Sequence, residues 1–268
     1  MCGRFVQTLT AVEIQRLFRL ASRPPESERH FNVAPGTEIL VIRAPEGVRE
    51  GALALWGLEV PDVRARNARG TGARLAPINA RSESIFDRPL WRSVIERRRC
   101  LVPATGFYEW RRRGKNRDPF LIQRQDAVPF AMAAVWAEGP VSPLRQGEST
   151  LTCAVLTTEA RGVVASIHDR MPVILGPDRY DRWLDAAPMK ESELGAVLEG
   201  QSFADLVMRR VSKRVGSVAN EDSALLAEIA DAGAADADAD ADAADADAHG
   251  EAGHAPSETG AQLGFRFD

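Results

Sequence analysis

Cysteine and histidine are scarce in this chain of 268 residues. There are three cysteines, Cys2, Cys100 and Cys153, and four histidines, of which His249 and His254 fall near the C-terminus. The odd number of cysteines and the absence of a CxxC spacing argue against a disulfide framework, and the absence of HExxH argues against a zinc centre. We therefore expect free thiols, with neither a metal ion nor another cofactor.

Long apolar runs are also missing. No stretch of about 18 apolar residues is available to span a bilayer, and the charged start of the chain lacks the apolar region of a secretory signal. The sequence therefore predicts a cytoplasmic protein that makes no contact with membranes.

Aromatic and branched aliphatic residues disappear from Asp231 until Leu263, and an alternation of alanine and aspartate takes their place. Such a segment cannot form a core, so residues 231–261 are predicted to be a disordered acidic tail. The last residues, 262–268, include an apolar peptide, Gln262 to Phe267, that resembles the short motifs by which repair proteins bind a sliding clamp. The alternative is a terminal remnant with no partner.

Although the net charge of the whole chain is −4, residues 1–230 are net positive once the tail is set aside. Arginine supplies most of this charge, in clusters such as ERRR at 96–99 and WRRRGKNR at 110–117. Forked guanidinium groups suit phosphate contact. The alternative is a solvated basic surface without a ligand.

The pattern of residues 1–230 indicates one α+β domain. A first helix is expected in TAVEIQRLFRL with Thr10 as its cap, and further helices in GPDRYDRWL, KESELGAVLEG and NEDSALLAEIA. Strands outnumber helices; they are EILVIR, ALALWG, CLVPATGFYEW, PFLIQR, PFAMAAVWAE, STLTCAVLTT and RMPVILG. Because strands and helices do not alternate regularly, we predict a largely antiparallel, barrel-like β core with flanking helices.

The sequence begins MCGRF, with a cysteine directly behind the initiator methionine. A small residue at position two normally permits removal of the methionine. The mature chain would then begin with Cys2 and carry a free α-amine and a thiol on adjacent carbons. The alternative is an incidental cysteine at a frayed terminus.

Three other stretches also carry candidate functional groups. Asn79 and Arg81 in PINARSESI share a face if the segment is extended. Glu109 in GFYEW sits in a strand-like apolar run, where burial would raise its pKa towards the range useful in acid–base catalysis; an outward-facing glutamate is the alternative. His168 in SIHDRMPVIL precedes a buried strand and is either the rim of a site or a structural histidine.

Taken in order, these stretches resemble one family. They run from Met1 to about Ile229 as MCGRF, FNVAPGT, WG, INARSE, RRCLVPATGFYEW, IHDRMPVIL and VSKRVGSVANED. This series is similar to the SRAP family, the SOS response-associated peptidases or abasic-site-processing proteins. The resemblance implies a monomeric protein of the DNA damage response that associates with the nucleoid, binds single-stranded DNA and links itself covalently to abasic sites.

The implied chemistry depends on Cys2. An abasic site opens to an aldehyde, and an α-amine with a pKa of about 7.7 to 8.0 is substantially unprotonated near neutrality and can form a Schiff base with it. Attack of the thiol on the imine then closes a stable thiazolidine ring. A weak lyase side reaction, β-elimination of the 3′ phosphate, is expected before the ring closes. The peptidase label implies removal of the chain's own first residue.

The resemblance also implies roles for individual residues. Glu109 would handle protons at the Cys2 amine and imine, His168 would help to open the sugar ring, and Asn79 would hydrogen-bond the linked terminus. With Cys2 these form the expected catalytic set. Three arginines would grip the phosphates that flank the lesion: Arg4, Arg81 and Arg170.

One departure from the family concerns the loop at 58–77. Family members often carry tryptophan after the WG motif, where it can stack on a base, but this loop contains no aromatic residue. Affinity here would depend more on Arg64, Arg66, Arg69 and Arg74, which predicts a steeper salt dependence than in relatives with the tryptophan. Phe86 is a candidate wedge at the lesion, and packing in the core is the alternative.

Two other functions use the same residues. An N-terminal nucleophile hydrolase would attack peptides with Cys2 and use Glu109 or His168 as its base. A non-catalytic module for binding single strands would leave Cys2 dispensable. The arginine-rich composition favours DNA over a peptide substrate.

Overall fold

The computed structural model describes residues 2–60, 76–141, 149–198 and 205–230. The chain divides into one unit at Met1–Ile229 and a second at Ala230–Asp268, and the fold given below is that of the first. The predicted acidic tail, the C-terminal peptide at 262–268 and the loop arginines Arg64, Arg66, Arg69 and Arg74 lie outside the described residues. No helix in the described ranges is long and apolar enough to cross a membrane.

The strands and helices of the described residues are numbered in chain order. The strands are β1 Phe5–Gln7, β2 His30–Val33, β3 Glu38–Arg43, β4 Glu50–Trp56, β5 Asn79–Arg81, β6 Arg99–Ala104, β7 Gly106–Arg113, β8 Asn116–Arg124, β9 Phe130–Val141, β10 Ser149–Glu159, β11 Arg170–Pro172, β12 Ile174–Leu175 and β13 Leu206–Arg210. The helices are α1 Ala11–Phe18, α2 Pro89–Ile95, α3 Tyr180–Leu184 and α4 Glu191–Leu198.

Five strands close into a barrel. β4 pairs with β3, β3 with β6, β6 with β9, β9 with β10, and β10 returns to β4. The β4–β10 contact is parallel and the other four are antiparallel. Closure satisfies the edge hydrogen bonds that an open sheet leaves unpaired. The predicted α+β domain with a largely antiparallel, barrel-like core is therefore confirmed.

A second, five-stranded antiparallel sheet carries the N-terminus, in the order β13-β8-β7-β1-β2. Alternate residues of barrel strand β3 serve different layers, as expected for a strand buried on both faces. Ile39 and Val41 belong to the cluster that contains Cys2 and Phe5. Leu40 and Ile42 belong to the cluster that receives the helices.

Helix α1 begins where the sequence indicates. The Thr10 hydroxyl accepts the Glu13 backbone N–H, and the Glu13 carboxylate accepts the Thr10 N–H, which forms a capping box. Ile14 and Phe18 are buried on one face.

Three local expectations need correction. The segment NEDSALLAEIA contains only a 3-10 turn at Ser223–Leu226, because the Ile229 N–H bonds to the Arg210 carbonyl and draws the chain into a β-bridge. CLVPATGFYEW is two strands rather than one, since the chain leaves the barrel at Thr105 and enters the second sheet. Helix α2 was not expected; its signal is the proline at its first position, Pro89.

Candidate active site

Strand β1 brings Cys2 beside the middle of β7. Phe5 pairs with Phe107 in antiparallel register, and the Tyr108 N–H donates to the Arg4 carbonyl at 2.9 Å. Because residues that precede Phe5 lie opposite residues that follow Phe107, the continued register places Gly3 opposite Glu109 and Cys2 one residue beyond it. Cys2 is fully buried, and Glu109 is 3% exposed.

Asn79 reaches the same place from the barrel. The Trp56 indole N–H donates to the Ile78 carbonyl at 3.0 Å, and the Val155 N–H donates to the same oxygen at 2.9 Å. These two bonds fix the entry of β5, which runs parallel to β10. From there the Asn79 Nδ2 donates to the Cys2 carbonyl at 2.7 Å. Trp56 of the WG motif therefore helps to position Asn79 for its hydrogen bond to Cys2.

Glu109 is a carboxyl group held in an apolar wall. It points into the cluster that contains Cys2, while its neighbours Tyr108 and Trp110 pack on the opposite side of β7. Burial, assisted by the charge of Asp169, raises the pKa of Glu109 to about 8. Its Oε1 is buried and has no hydrogen-bond partner among the described residues. Glu109 is thus a largely protonated acid at neutral pH, poised to donate and then accept a proton.

His168 faces Glu109 from the turn before β11. Its Nε2 lies 3.8 Å from the Glu109 Oε2. The Arg170 backbone N–H donates to its Nδ1 at 2.9 Å, and the Arg170 carbonyl lies 3.0 Å from the same nitrogen. Burial lowers the pKa of His168, although Asp169, whose Oδ1 lies 3.0 Å from Nδ1, opposes this. A neutral histidine therefore faces a protonated glutamic acid.

The Cys2 thiol is protonated in this environment. Burial, assisted by the negative charge that Glu109 carries once it ionises, raises its pKa well above the usual value. A thiolate can form only if a neighbouring base takes the proton as the nucleophile attacks. Glu109 is a carboxyl group whose charge acts on the thiol.

Arg170 is engaged by the protein in this structure. Its two terminal nitrogens donate to the two carboxylate oxygens of Glu83 at 2.9 and 2.8 Å, and one also donates to the Thr157 carbonyl at 2.7 Å. Glu83 also accepts the Glu159 N–H at 3.2 Å. The predicted phosphate contact of Arg170 would share or displace this bidentate pair.

Arg4 is likewise engaged. It donates to the Asn32 Oδ1 at 2.7 Å, the Val215 carbonyl at 2.9 Å and the Gly216 carbonyl at 3.1 Å. It therefore tethers the 3-10 turn at Lys213–Gly216 to the N-terminus.

The other two predicted DNA-binding residues differ in exposure. Arg81 is exposed on β5 and has no hydrogen bond or ion pair with the described residues. It is free to meet a phosphate. Phe86 is half-buried and packs against the cluster that receives the helices, which supports the alternative of core packing over a wedge.

Two cavities border Trp110. One, of about 590 Å³, is lined by Gly3, Arg4, Pro35, Trp110, Arg117, Pro119, Lys213 and Gly216. The other, of about 410 Å³, is lined by Trp110, Arg111, Arg112, Ser166, Ile167, His168 and Asp169. Trp110 is half-buried and shared by both, so an indole and several cations lie beside the cluster of Cys2, Glu109 and His168. Trp110 and Arg117 belong to the arginine-rich cluster at 110–117 that the sequence analysis noted for phosphate contact, whereas Lys213 was not singled out from the sequence.

The fold and the site together define a mixed α+β barrel protein with a near-terminal cysteine set against a glutamate, a histidine and an asparagine. Residues 1–218 match the family of SOS response associated peptidase (SRAP). The chain belongs to this family, as the sequence motifs predicted.

Several curated relatives carry the description abasic site processing protein. YoaM of Bacillus subtilis is 33% identical over 84% of this chain and 97% of the relative. YedK of Escherichia coli is 28% identical over 84% of this chain and 99% of the relative. HMCES of Gallus gallus is 28% identical over 85% of this chain and 78% of the relative.

Solved structures share the fold. A protein from Bacteroides thetaiotaomicron superposes with a TM-score of 0.72 at 23% identity and covers 85% of this chain and all of that chain. A protein from Bordetella bronchiseptica gives a TM-score of 0.64 at 24% identity over 79% of this chain and all of that chain.

Proposed function

We propose that this protein processes abasic sites in single-stranded DNA by linking itself to them through Cys2 after removal of Met1. The observation that carries the proposal is the cluster around Cys2. Asn79 bonds its carbonyl, and Glu109 and His168 are two acid–base groups with pKa values shifted in opposite directions. The descriptions of the curated relatives supply the substrate class, an abasic site.

The first step is formation of a Schiff base. The ring-closed sugar opens when a proton reaches its ring oxygen, and His168 or Glu109 supplies that proton. The Cys2 nitrogen attacks the aldehyde carbon, a carbinolamine forms, and its hydroxyl leaves as water after protonation by Glu109. Glu109 suits this role because its raised pKa, about 8, keeps it protonated at neutral pH.

The second step traps the imine. Glu109, now ionised, takes the proton of the Cys2 thiol while the sulfur attacks the imine carbon. A carbon–sulfur bond forms, and the carbon–nitrogen double bond of the iminium becomes single as its electron pair moves to the nitrogen, which keeps the proton it already carries. The product is a five-membered thiazolidine that joins protein and DNA. This proton transfer removes the obstacle that the raised pKa of the thiol presents.

The basic groups around the site suit a DNA strand. Arg81 is exposed, and Arg4, Arg117 and Lys213 border the larger cavity. Phosphate contacts of this kind orient a strand without reading its sequence. Trp110 offers an indole between the two cavities on which a base or the exposed sugar can pack.

A test starts from wild-type protein whose loss of Met1 is verified by mass. The protein is incubated with single-stranded DNA that contains one abasic site and is then run on a heated denaturing gel. Cys2→Ser retains the amine but lacks the thiol, and Cys100→Ala controls for the loss of a buried cysteine elsewhere. We expect a heat-stable shifted band from wild type and Cys100→Ala, and none from Cys2→Ser.

The alternative outcomes are also informative. Cleaved DNA without a stable band would indicate that β-elimination outruns ring closure, which makes the protein a lyase rather than a crosslinker. No band and no cleavage by the trimmed wild type would overturn the proposal. Peptide hydrolysis that depends on Cys2 would then be the function to test, as the family description suggests.

A further inference from the structure

The hairpin formed by β7 and β8 ends in an unusual concentration of positive charge. Its turn carries five cations and one acid: Arg111, Arg112, Arg113, Lys115, Arg117 and Asp118. Gly114 adopts a left-handed φ of +59° and makes the turn tight. Every residue from Arg112 to Arg117 is exposed.

Among the described residues, the acid that neutralises this hairpin lies at its base. Asp118 lies opposite Arg111, 3.9 Å from it, and is shared with Arg210 at 3.5 Å. Arg111 also lies over the Phe120 ring at 4.6 Å. Arg111 and Asp118 therefore contribute to the stability of the fold. The hairpin itself has no acidic residue near the cations that lie closer to the turn.

Two of those cations face each other directly. Arg112 pairs with Arg117 in the antiparallel register of β7 and β8. Like charges directly opposite on a strand pair are destabilising. Because this pairing destabilises the hairpin, it indicates that Arg112 and Arg117 have a role other than stabilising the fold.

The same two arginines border different cavities. Arg117 lines the cavity that contains Gly3 and Arg4, and Arg112 lines the cavity that contains His168. The hairpin therefore stands between the two openings that flank the catalytic cluster. An extended polyanion that passes the site from one cavity to the other meets Arg117 on one side and Arg112 on the other.

We propose that the end of the β7–β8 hairpin, residues 112–117, is a phosphate-binding arm that holds the DNA backbone on both sides of the lesion. The proposal rests on the function proposed above and adds a second binding surface to it. Arg112 and Arg117 contact phosphates of flanking nucleotides, and Arg113 and Lys115 extend the positive surface beyond them. A bound backbone supplies the negative charge that relieves the Arg112–Arg117 repulsion.

The experiment measures affinity for undamaged single-stranded DNA, so that it does not depend on crosslinking. The double variant Arg112→Gln/Arg117→Gln removes two charges from the arm. The matched control, Arg16→Gln/Arg182→Gln, removes two exposed charges from α1 and α3, where neither residue lines a cavity. Dissociation constants are measured at several salt concentrations with a strand of about 16 nucleotides, at the upper end of common site sizes.

For each phosphate that the protein no longer neutralises, the slope of log affinity against log salt flattens by about 0.7 on single strands. We expect the arm variant to flatten the slope by about 1.4, and the control to leave it as in wild type. The arm variant should melt no lower than wild type, since it relieves a repulsion.

Three results would overturn the arm. They are an unchanged slope in the arm variant, an equal change in the control, and a lower melting temperature of the arm variant that accounts for its weaker binding. The results distinguish a failure of the proposed function from a failure of the proposed arm. Wild-type protein that binds DNA with this dependence but gives no heat-stable band refutes crosslinking alone, and a band with an unchanged slope refutes the arm alone.

Discussion

The Asn79 side chain donates from Nδ2 to the Cys2 carbonyl at 2.7 Å, while its Oδ1 is buried without a partner in the described part of the chain. The amide nitrogen thus fixes the position of Cys2, and the amide oxygen remains available to accept a hydrogen bond. A buried acceptor without a partner is costly, and it is common at sites that bind a further group. A proton on a reaction intermediate can satisfy it.

We predict that Asn79→Asp slows crosslinking about tenfold. A carboxylate keeps the shape but places an acceptor against the Cys2 carbonyl, and loss of a hydrogen bond of about 1 to 1.5 kcal/mol corresponds to a factor of about ten. The measurement is the single-turnover rate of band formation with saturating protein. A rate equal to that of wild type would show that the contact positions nothing that matters to the reaction.

Glu109 should make the protein less stable as the pH rises. Its folded-state pKa is raised to about 8, so the native state retains a proton that the unfolded chain releases from about pH 4.5 upward. Its contribution to stability is therefore lost as the pH rises from about 4.5 to 8. The amide of Glu109→Gln does not ionise, so the variant avoids this loss of stability. We expect the variant to melt at a higher temperature than wild type at pH 8, by an amount equivalent to about 1 kcal/mol or more in the free energy of unfolding.

The same substitution should abolish rapid crosslinking, because the amide neither donates a titratable proton nor accepts one. Thermal melts at pH 5 and pH 8 give the stability, and the gel assay gives the rate. A variant that melts like wild type at pH 8 would mean that the carboxyl is not held protonated by burial.

The barrel and the cluster around Cys2 could be predicted from the sequence for different reasons. Strands such as β3 are continuous branched runs, so their burial follows from composition alone. Glu109 was recognisable because a carboxyl stood in such a run. That Asn79 would bond the Cys2 carbonyl was expected only through resemblance to the family, since the contact spans two sheets.

Other features of the site and the fold could be found only in the three-dimensional structure. Arg4 and Arg170 are ordinary arginines in the sequence, and only the structure reveals that carbonyls and Glu83 engage their guanidinium groups. The segment after Asn220 has helical periodicity but is drawn into a bridge by strand β13. Tertiary hydrogen bonds outweighed local propensity there.

Glu83 should act as a positioning residue for His168. Although burial opposes it, the hydrogen bonds from Arg170 hold the pKa of Glu83 below its usual value, so the pair is ionic. Arg170 in turn donates its backbone N–H to the His168 Nδ1. Glu83→Gln leaves the Arg170 charge uncompensated beside the imidazole. Because the protonated imidazole is the proton donor, we expect the crosslinking rate to fall severalfold and the alkaline limb of the pH–rate profile to move to lower pH.

The control for this prediction is Glu96→Gln, which removes a half-buried glutamate that follows the last residue of α2 and pairs with Arg92. It should leave both the rate and the profile as in wild type. A fall in rate without any displacement of the profile would mean that Glu83 only stabilises the fold around Thr157 and β11.

Trp110 should contribute to DNA affinity without contributing to its salt dependence. The indole borders both cavities, and stacking on an aromatic ring is worth about 1 to 3 kcal/mol per base. Trp110→Ala should weaken binding of undamaged single strands about 5- to 100-fold, with Trp110→Phe much closer to wild type. Because stacking releases no counterions, the salt slope should stay constant, in contrast to the arm variant. Equal losses in the Ala and Phe variants would exclude stacking, and a flattened slope would show that Trp110 acts by placing the neighbouring arginines.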